Sequence, residues 1–402
     1  MTAPVENLTA PTSPGPIVWI RRNLFNNWYN SILSLLTLFI GYFVVTAIFN
    51  WVFNIADWRP VVNFPILYLV GQFPRDQLWR VFLSTAMVSL LMGMSWGIWG
   101  KLVRPFALSV GAFFGILALL PVQSEILSPA NRALLFLNLF LVLGGFALRR
   151  FEVLRGRYIA IGWIVAGLLI VLVILPGFRG SAFLPEISTT LWGGLLVTLL
   201  LAGGGITLSI PIAIFLALGR RSSLPVVKGF CVVFIETVRG VPLITILFMF
   251  SVIIQLFLPV ESRLDRLFRA LIGMTLFSAA YTAENLRGGL QAVALGQIEA
   301  AKAVGMNNVL ITGLIVMPQA IRAVIPALVG QFISLFKDTT LVLILGINEL
   351  LGIGKAIINS DPEFIRLQAE VYIFMAGVYW ILSSIMSYSS RQLEAALGVG
   401  ER

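Results

Sequence analysis

Four charged side chains lie within or beside apolar stretches in the second half of the sequence. Glu236 and Arg239 have an i, i+3 spacing, and Glu284 and Arg287 repeat it. Charges at membrane depth are energetically expensive and mark functional positions. An acid and a base at this spacing can pair on a helix, so both mutual pairing and substrate contact are open for Glu236 and Arg239. For Glu284 and Arg287, support of the loop that follows is favoured over substrate contact.

A second charged motif, Lys337-Asp338-Thr339, ends a long apolar stretch. At about 1.5 Å of rise per residue, the predicted span before it carries this motif past the membrane midplane toward the outside. An adjacent lysine and aspartate at that depth should avoid the lipid. They form an internal ion pair at an outward gate, or they meet a zwitterionic ligand. In the second case, Arg239 or Lys337 would bind its carboxylate, and Glu236 or Asp338 its ammonium group.

The composition argues against covalent and metal chemistry. The 402 residues are 58% hydrophobic and 11% charged, with a mean hydropathy of +0.95, whereas soluble domains carry about 25% charged residues. The chain has no histidine and one cysteine, Cys231, so it lacks the commonest general base and cannot form an internal disulfide. It also has no Walker-type phosphate loop. We therefore expect an integral membrane protein that is not an enzyme and has no cofactor of its own.

Ten apolar stretches approach the length of about 20 residues that a membrane-spanning helix needs. They predict an all-α, polytopic membrane protein with about ten transmembrane helices, of which the two short spans in residues 103–148 are candidates for partly re-entrant segments. The predicted spans are Ser31–Phe53, Val81–Gly100, Val103–Leu120, Ala133–Leu148, Tyr158–Leu175, Thr190–Leu218, Gly229–Leu258, Leu264–Ala283, Ala320–Leu345 and Val371–Ser389.

The distribution of basic residues predicts the orientation of these spans. The net charge is +10, and an excess of Lys and Arg in a membrane protein belongs mainly to cytoplasmic loops, so binding to nucleic acid is not needed to explain it. The bias favours both termini, and a loop at residues 295–318, in the cytoplasm. A Gly/Pro-rich outer loop at Pro176–Pro185 marks a boundary. The predicted regions are a polar cytoplasmic tail at 1–30 with an interfacial stretch at Trp19–Tyr29, an extra transmembrane bundle at 31–185, and a core at 186–402.

The cytoplasmic loop contains a short polar helix in an otherwise apolar chain. Glu299 is expected near the start of this helix and Lys302 near its end, as the helix dipole favours. Ala300 and Ala301 have almost no side chain, so another protein could approach the backbone closely. Gly305 suits the left-handed position that ends a helix. The pattern predicts a docking helix, with Asn307 or Asn308 as the cap of the next helix.

This loop resembles the signature coupling loop of the permease subunits of ABC importers. The resemblance rests on the spacing of Glu299-Ala300-Ala301, Gly305, Ile315 and Met317-Pro318. Met317 replaces the usual leucine, which conserves volume. The resemblance implies that Glu299, Ala300, Ala301, Gly305 and Pro318 couple this chain to an ATPase.

Further motifs resemble the polar amino acid branch of these permeases. They are Arg239-Gly-Val-Pro-Leu, Tyr281-Thr-Ala-Glu-Asn-Leu-Arg-Gly-Gly-Leu and Lys337-Asp-Thr-Thr-Leu-Val, with Thr340 where the branch usually has serine. From residue 186 onward the chain resembles the five-helix core of type I importer permeases. Its length and its hydropathy resemble those of the general and polar L-amino acid systems of Gram-negative bacteria and cyanobacteria. On this basis Glu236, Arg239, Glu284, Lys337, Asp338 and Thr339 are candidates for the substrate pathway or its gate.

The resemblance implies a set of partners and a location. It implies a bacterial inner membrane protein that forms half of a translocation path, as a heterodimer with a second permease subunit. It also implies two ATP-binding subunits that hold ATP and magnesium, and a periplasmic binding protein that delivers an L-amino acid. ATP-driven closure of the two ATPases would push on Glu299–Gly305 and switch the path between inward-open and outward-open states.

Two other classes of protein share some features with this sequence. An ion-coupled secondary transporter also uses broken helices and buried charges, but it would need no ATPase and would have no use for a docking loop. A membrane enzyme is disfavoured because the chain has no histidine and no cluster of a nucleophile with a base. The docking loop, together with the missing nucleotide site, therefore favours an importer subunit whose motor is supplied by partners.

Overall fold

The computed structural model describes residues 15–119, 128–150, 156–257, 259 and 264–398. Within these ranges the regular elements are helices, accompanied by three isolated β-bridges between loops. The chain divides into two compact units, Met1–Trp58 and Arg59–Arg402. Of the predicted tail at 1–30, residues 1–14 lie outside the described residues.

The first unit contains two helices, α1 (Pro16–Asn23) and α2 (Trp28–Asn50), and α2 continues as a π-helical turn, Trp51–Ile55. Asn27 caps α2, because its side chain accepts a hydrogen bond from the Asn30 backbone N–H at 2.8 Å. None of the α2 side chains is buried within the unit, although the helix is strongly apolar. A helix that is apolar on every side suits a lipid environment, so α2 is a membrane span.

The second unit begins with two short helices and a bundle of four longer ones. A short 3-10 turn, Arg75–Gln77, precedes the helix Leu78–Trp99, and the helix Gly156–Leu169 continues as a π-helical turn, Ile170–Ile174. The six helices are α3 (Arg59–Val62), α4 (Pro65–Val70), α5 (Leu78–Trp99), α6 (Arg104–Leu119), α7 (Pro129–Ala147) and α8 (Gly156–Leu169).

Glycines allow α5 and α7 to pack closely. A Cβ atom on Gly93 would lie 2.1 Å from the Val142 carbonyl oxygen, and one on Gly145 would lie 2.5 Å from that of Leu90. Small residues permit this kind of close approach between membrane helices. The contact is reinforced by a buried hydrogen bond of 2.9 Å from the Ser89 hydroxyl to Asn138 Oδ1.

A buried arginine fastens α5 to the loop that leads toward the C-terminal helices. Arg80 is fully buried, and its Nη2 donates to the Pro185 carbonyl oxygen at 2.9 Å. Gly177 lies against the same guanidinium with φ +68°, a backbone conformation that glycine adopts without strain. The predicted outer loop at Pro176–Pro185 is therefore held in place by the helix bundle that precedes it.

The remaining helices begin with a kinked group and end with a long C-terminal helix. Pro211 lies inside the helix Gly194–Arg220, and Pro326 lies inside the helix Met317–Asp338. The helices are α9 (Gly194–Arg220), α10 (Pro225–Gly240), α11 (Leu243–Phe248), α12 (Ile254–Leu256), α13 (Arg266–Ala292), α14 (Leu295–Ala303), α15 (Asn308–Leu310), α16 (Met317–Asp338), α17 (Leu350–Ile358), α18 (Pro362–Ile365) and α19 (Gln368–Ala396).

Helix α13 lies at the centre of this group, packed against α9 on one side and α16 on the other. A Cβ on Gly205 of α9 would lie 3.8 Å from Met274 of α13 and 3.3 Å from Leu335 of α16. Further along α13, a Cβ on Gly289 would lie 2.4 Å from the carbonyl oxygen of Ala320. Glycines therefore set the helix spacing here too, and they bring the ends of α13 and α16 that flank α14 close together.

The ten predicted spans each correspond to helical structure. Seven helices in the described residues are long and apolar enough to cross a membrane, and the pair α10 and α11–α12 makes an eighth, with a bend of 109°. Helix α6 is apolar but shorter, with 16 residues, and α13 has 27 residues with charges toward both ends. The all-α, polytopic prediction is confirmed.

Candidate functional site

The predicted docking helix is α14, which lies in the loop between α13 and α16. It begins at Leu295, earlier than its charge pattern suggested, and its first turn contains no acidic residue. The prediction that Glu299 lies near the start of the helix is therefore wrong, because Glu299 occupies the middle. Lys302 lies in the last turn, as predicted, where a positive charge stabilises the helix dipole.

Gly305 ends this helix as predicted. Its φ is +81°, and its backbone N–H donates to the Lys302 carbonyl oxygen at 2.9 Å. The Asn307 side chain then accepts a hydrogen bond from the Leu310 N–H at 2.9 Å, which confirms the predicted cap of the next helix. A left-handed glycine followed directly by a capped helix gives the loop a defined turn.

The two alanines of the docking motif face in different directions. Ala301 is only 5% exposed and belongs to a buried apolar cluster with residues of α9, α13 and α16. The expectation that a partner approaches both alanines is therefore wrong for Ala301, which instead fastens α14 to the helices. Ala300 and Glu299 are exposed, and Leu295 is 74% exposed.

Pro318 lies at the opposite end of the loop. It occupies the first turn of α16 and is exposed. A π-helical segment, Ile311–Val316, connects the cap at Asn307 to this turn. Proline has no backbone N–H to donate to the preceding turn, and the change from π-helical to α-helical turns falls close to this residue within the continuous helix Asn308–Leu345. The loop therefore joins a fixed helix on each side, with α14 exposed between them.

A network of charged side chains lies beside this loop, at the C-terminal ends of α9, α10 and α13. Glu284 is its centre, since its carboxylate pairs with Arg220 at 3.3 Å and with Arg239 at 3.5 Å. Arg287 binds the same carboxylate, with its Nε 2.9 Å from Glu284 Oε1, which confirms the predicted i, i+3 pair. One acidic side chain thus holds three arginines from three helices.

Of the two alternatives left open for Glu236 and Arg239, pairing with each other is not what the structure shows. Glu236 pairs with Arg220, from Oε1 to Nη2 at 2.9 Å, while Arg239 turns to Glu284 and lies 5.5 Å from the centre of the Tyr281 ring. Both side chains therefore take partners from neighbouring helices instead of from α10 itself. The network has three arginines and two glutamates, so it carries one net positive charge.

The chain bends sharply just after this network. Helix α10 ends at Gly240 and α11 begins at Leu243, with Pro242 at its N-cap and an angle of 109° between the two segments. The span predicted at Gly229–Leu258 is therefore broken into two helical segments. Pro242 begins the second helix, where it costs no hydrogen bond.

The motif Lys337-Asp338-Thr339 lies at the far end of α16 from Pro318. Lys337 is exposed, Asp338 is half-buried and Thr339 is fully buried, with its hydroxyl donating to the Phe336 carbonyl oxygen at 2.7 Å. A helix of this length separates the motif from the loop by about 30 Å. The structure therefore brings Glu236, Arg239 and Glu284 together and leaves this motif apart from them.

Sequence reasoning missed a buried carboxylate, Glu349, just before α17. It is fully buried and accepts hydrogen bonds from the backbone N–H groups of Leu351 and Gly352, each at 2.9 Å. Tyr379 Oη donates to it at 2.8 Å. Burial raises the pKa of the Glu349 carboxyl above its ordinary value, against the effect of these hydrogen bonds. A glycine stop at Gly346 followed by an acidic residue before an apolar run is the sequence signal that was available.

These features define a class of protein. A membrane transport subunit has the features found here, namely repeated apolar spans, a broken helix, charges gathered at helix ends and an exposed helix in a loop. Within the described residues, no group of three His, Cys, Asp or Glu side chains could hold a metal ion.

Comparison with known proteins identifies the family. Residues 209–399 match the family described as binding-protein-dependent transport system inner membrane component. The inner membrane amino-acid ABC transporter permease protein YhdY of Escherichia coli (strain K12) is 35% identical over 400 residues, which cover 96% of this chain and 94% of the relative. The chain therefore belongs to the amino-acid ABC transporter permeases of this family, which decides against the ion-coupled alternative.

Two further relatives differ in how much of the chain they match. The glutamate/glutamine/aspartate/asparagine transport system permease protein BztC of Rhodobacter capsulatus is 36% identical and covers 96% of this chain. The probable glutamine ABC transporter permease protein GlnP of Bacillus subtilis is 33% identical over 53% of this chain, which is 96% of that relative. A chain from a solved amino acid ABC transporter is 28% identical and covers 50% of this chain and 92% of its own length, with a TM-score of 0.46.

Proposed function

We propose that this chain forms part of the translocation path of an L-amino acid importer, and that ATP hydrolysis on separate subunits drives it. The family works with ATP-binding and substrate-binding partners in general. The observation that carries the coupling role is α14, a helix held by Ala301 on its inner side and ended by the left-handed Gly305. Its exposed side presents Ala300, Glu299 and Leu295 to a partner.

The coupling surface suits a protein partner in both shape and chemistry. Leu295 is 74% exposed and Val304 is 77% exposed, at the two ends of α14. The small side chain of Ala300 between them leaves the backbone accessible. An ATP-binding subunit that covered these two apolar side chains would gain free energy from their burial, and it could push on α14 as a rigid unit because Ala301 holds the helix from below.

The direction of the push follows from the elements on either side of the loop. Helix α13 enters it from the charge network at Glu284, and α16 leaves it toward Lys337. A displacement of α14 would therefore reach both the network and the distant motif through rigid helices. We propose that this movement switches the path between inward-open and outward-open states.

The substrate class rests on charge. Lys337 and Asp338 provide a base and an acid at one end of α16, which suits the carboxylate and the ammonium group of an amino acid. The relative BztC is described as a permease for glutamate, glutamine, aspartate and asparagine, and this supports a polar L-amino acid here. Arg239, Glu236 and Glu284 pair among themselves and with Arg220 and Arg287, so we propose that they serve the inner gate.

Partners and location follow the same proposal. The chain pairs with a second permease subunit, two ATP-binding subunits hold ATP and magnesium, and a periplasmic binding protein delivers the substrate. It lies in the bacterial inner membrane with both termini in the cytoplasm. The relatives that match only about half of the chain support a transport core at 186–402, with residues 31–185 as an added bundle.

Transport by the reconstituted complex tests this function. The chain is purified together with its co-purifying subunits and placed in liposomes, and uptake of a labelled L-amino acid is measured with the binding protein outside. We expect uptake to require ATP and magnesium on the side of α14 and to survive collapse of all ion gradients. Uptake that follows an ion gradient without ATP would overturn the proposal.

A further inference from the structure

Glu349 caps α17 but is also fully buried, which its role as a helix cap does not require. Its carboxylate accepts two backbone hydrogen bonds at the start of α17, which a serine or an asparagine could also accept. In the described part of the chain no lysine or arginine pairs with it, and burying a carboxylate without a cation is costly. The longer glutamate side chain must therefore serve a contact beyond the cap.

That contact is Tyr379 of α19. The phenol donates to Glu349 Oε2 at 2.8 Å, and the hydroxyls of Thr198 and Thr339 also contact it. The Tyr379 ring lies 5.2 Å from the ring of Phe336, centre to centre. A single side chain from α19 therefore touches α9, the carboxylate before α17, Phe336 of α16 and Thr339 directly after α16.

These contacts converge on the segment that carries Lys337 and Asp338. Phe336 precedes that pair and Thr339 follows it, and both are buried against this cluster. Lys337 points away from it and is exposed. Beyond Thr339 the chain continues as a 3-10 helix, Thr339–Leu345, and reaches the left-handed Gly346. A 3-10 segment has weaker hydrogen bonds than an α-helix, so it depends on external contacts for its position.

We propose that Glu349, acting through Tyr379, is a positioning residue that holds the end of α16 and the 3-10 helix after it, and so fixes Lys337 and Asp338. The carboxylate orients the phenol, and the phenol holds Phe336 and Thr339 on either side of the charged pair. The consequence for transport rests on the proposed function, because it requires that Lys337 and Asp338 lie on the substrate path.

A spin label on the 3-10 helix tests the positioning directly. Ile344 is 57% exposed, so I344C accepts a nitroxide, while the native Cys231 is fully buried and gives little background. The mobility of the label is measured in the assembled complex, in the otherwise wild-type chain and in chains that carry Tyr379→Phe or Glu349→Gln. We expect the ratio of the mobile to the ordered population of the label to rise about fivefold. Loss of one buried hydrogen bond would shift the equilibrium between the detached and the packed 3-10 helix by about this factor.

Tyr68→Phe is the matched control. Tyr68 is also a buried tyrosine that contacts α19, with its ring 4.9 Å from that of Phe374, but it does not touch the end of α16. A label that responds to Tyr379→Phe and to Glu349→Gln, and not to Tyr68→Phe, supports the proposal. An unchanged label in both test variants, or an equal response to Tyr68→Phe, overturns it.

Uptake kinetics separate this proposal from the function on which it rests. If Lys337 and Asp338 bind substrate, Tyr379→Phe raises the KM for uptake severalfold and changes the maximal rate less. If Tyr379→Phe only destabilised the fold, there would be less active complex, so the maximal rate would fall and the KM would stay the same. A mobile label combined with an unchanged KM would keep the positioning role and would overturn the assignment of Lys337 and Asp338 to the substrate path.

Discussion

Glu284 of α13 accepts a hydrogen bond from Arg220 at the end of α9, with Arg220 Nη1 3.3 Å from Glu284 Oε2. Arg239 from α10 and Arg287 from α13 bind the same carboxylate. Three arginines whose charges would otherwise repel one another are thus gathered on one acid. The ends of three helices meet at this carboxylate, directly before the loop that contains α14.

Removing the central carboxylate should cost more than removing the peripheral one. Glu284 is 20% exposed and binds three arginines, whereas Glu236 is 55% exposed and binds Arg220. We expect Glu284→Gln to lower the free energy of unfolding by about 1–3 kcal/mol after allowance for solvent screening. Glu236→Gln should cost at most about 1 kcal/mol.

Thermal unfolding of the purified chain in detergent, with both variants measured side by side, checks this difference. The two variants change the same functional group to the same amide within one network, so each is the control for the other. Equal shifts in Tm would contradict the central role of Glu284.

The sequence indicated Glu236, Arg239, Glu284 and Arg287 as candidates, but not Arg220, and it predicted only part of the pairing. Glu284 and Arg287 pair because they lie one turn apart on the same helix. Arg220 comes from a different helix, 64 residues away from Glu284 in the sequence, and its approach depends on how α9 packs against α13. Local spacing holds no information about that packing.

The left-handed glycine that ends α14 should be essential for coupling. Gly305 has φ +81° with open space around the position of its missing Cβ, so a substitution there acts through backbone strain alone. A β-branched residue in this conformation costs about 1–3 kcal/mol. We expect Gly305→Val to reduce ATP-driven uptake strongly and to abolish stimulation of the ATPase by loaded binding protein.

Gly313→Val provides the matched control for that prediction. Gly313 also has open space around it but no left-handed φ, so valine should be tolerated there. Stimulated ATP hydrolysis at the wild-type level in Gly305→Val, or an equal loss in both variants, would count against the docking geometry of α14.

The buried carboxylate of Glu349 should make stability depend on pH. Burial raises its pKa in the folded chain, so the folded state binds the proton more tightly than the unfolded state. Its contribution to stability is fully present below the ordinary pKa of 4.5 and is lost as the pH rises through the folded pKa. Tyr379, the titratable side chain in contact with it, stays neutral in this range.

We therefore expect the wild-type Tm to fall as the pH rises from about 4.5, and Glu349→Gln to reduce this slope. Unfolding curves in detergent at a series of pH values provide the measurement. A slope that is the same in both proteins would show that Glu349 titrates alike in the folded and unfolded states.

The charged pair at the end of α16 should affect the affinity for substrate. Lys337 is exposed at the C-terminal end of the helix, where it can bind a carboxylate. We expect Lys337→Gln to raise the KM for uptake by about tenfold, because a charged hydrogen bond contributes about 1.5–3 kcal/mol. Lys355→Gln, which removes an exposed lysine from α17, should leave the KM unchanged, and similar KM values in both variants would remove Lys337 from the substrate path.

The docking helix shows where prediction from sequence ends. The stop at Gly305 and the cap at Asn307 follow from local backbone chemistry, and both are confirmed. The orientation of Ala301 follows instead from the first residue of α14 and from the packing of the loop on its neighbours. Successive helical residues point about 100° apart, so Ala301 can lie against the neighbouring helices while Ala300 is exposed. Glu349 was missed for a related reason, since its partner Tyr379 is distant in the sequence.

The contact between α5 and α7 offers a test of the added bundle with two neighbouring glycines. Both Gly144 and Gly145 lie within α7. A Cβ on Gly145 would lie 2.5 Å from the Leu90 carbonyl oxygen and 2.8 Å from the Met94 nitrogen, whereas one on Gly144 would meet no atom within 4 Å. Gly145→Ala must therefore push the two backbones apart, and overpacking of this kind costs about 1–3 kcal/mol.

We expect Gly145→Ala to lower the Tm and Gly144→Ala to raise it slightly, since alanine is favoured over glycine inside a helix by about 0.5–1 kcal/mol. Thermal unfolding in detergent measures both, and uptake by the complex measures the consequence for transport. If the bundle is a scaffold that transport does not require, uptake per folded complex stays constant in Gly145→Ala while its Tm falls. A Tm unaffected by Gly145→Ala would contradict the close packing of α5 on α7.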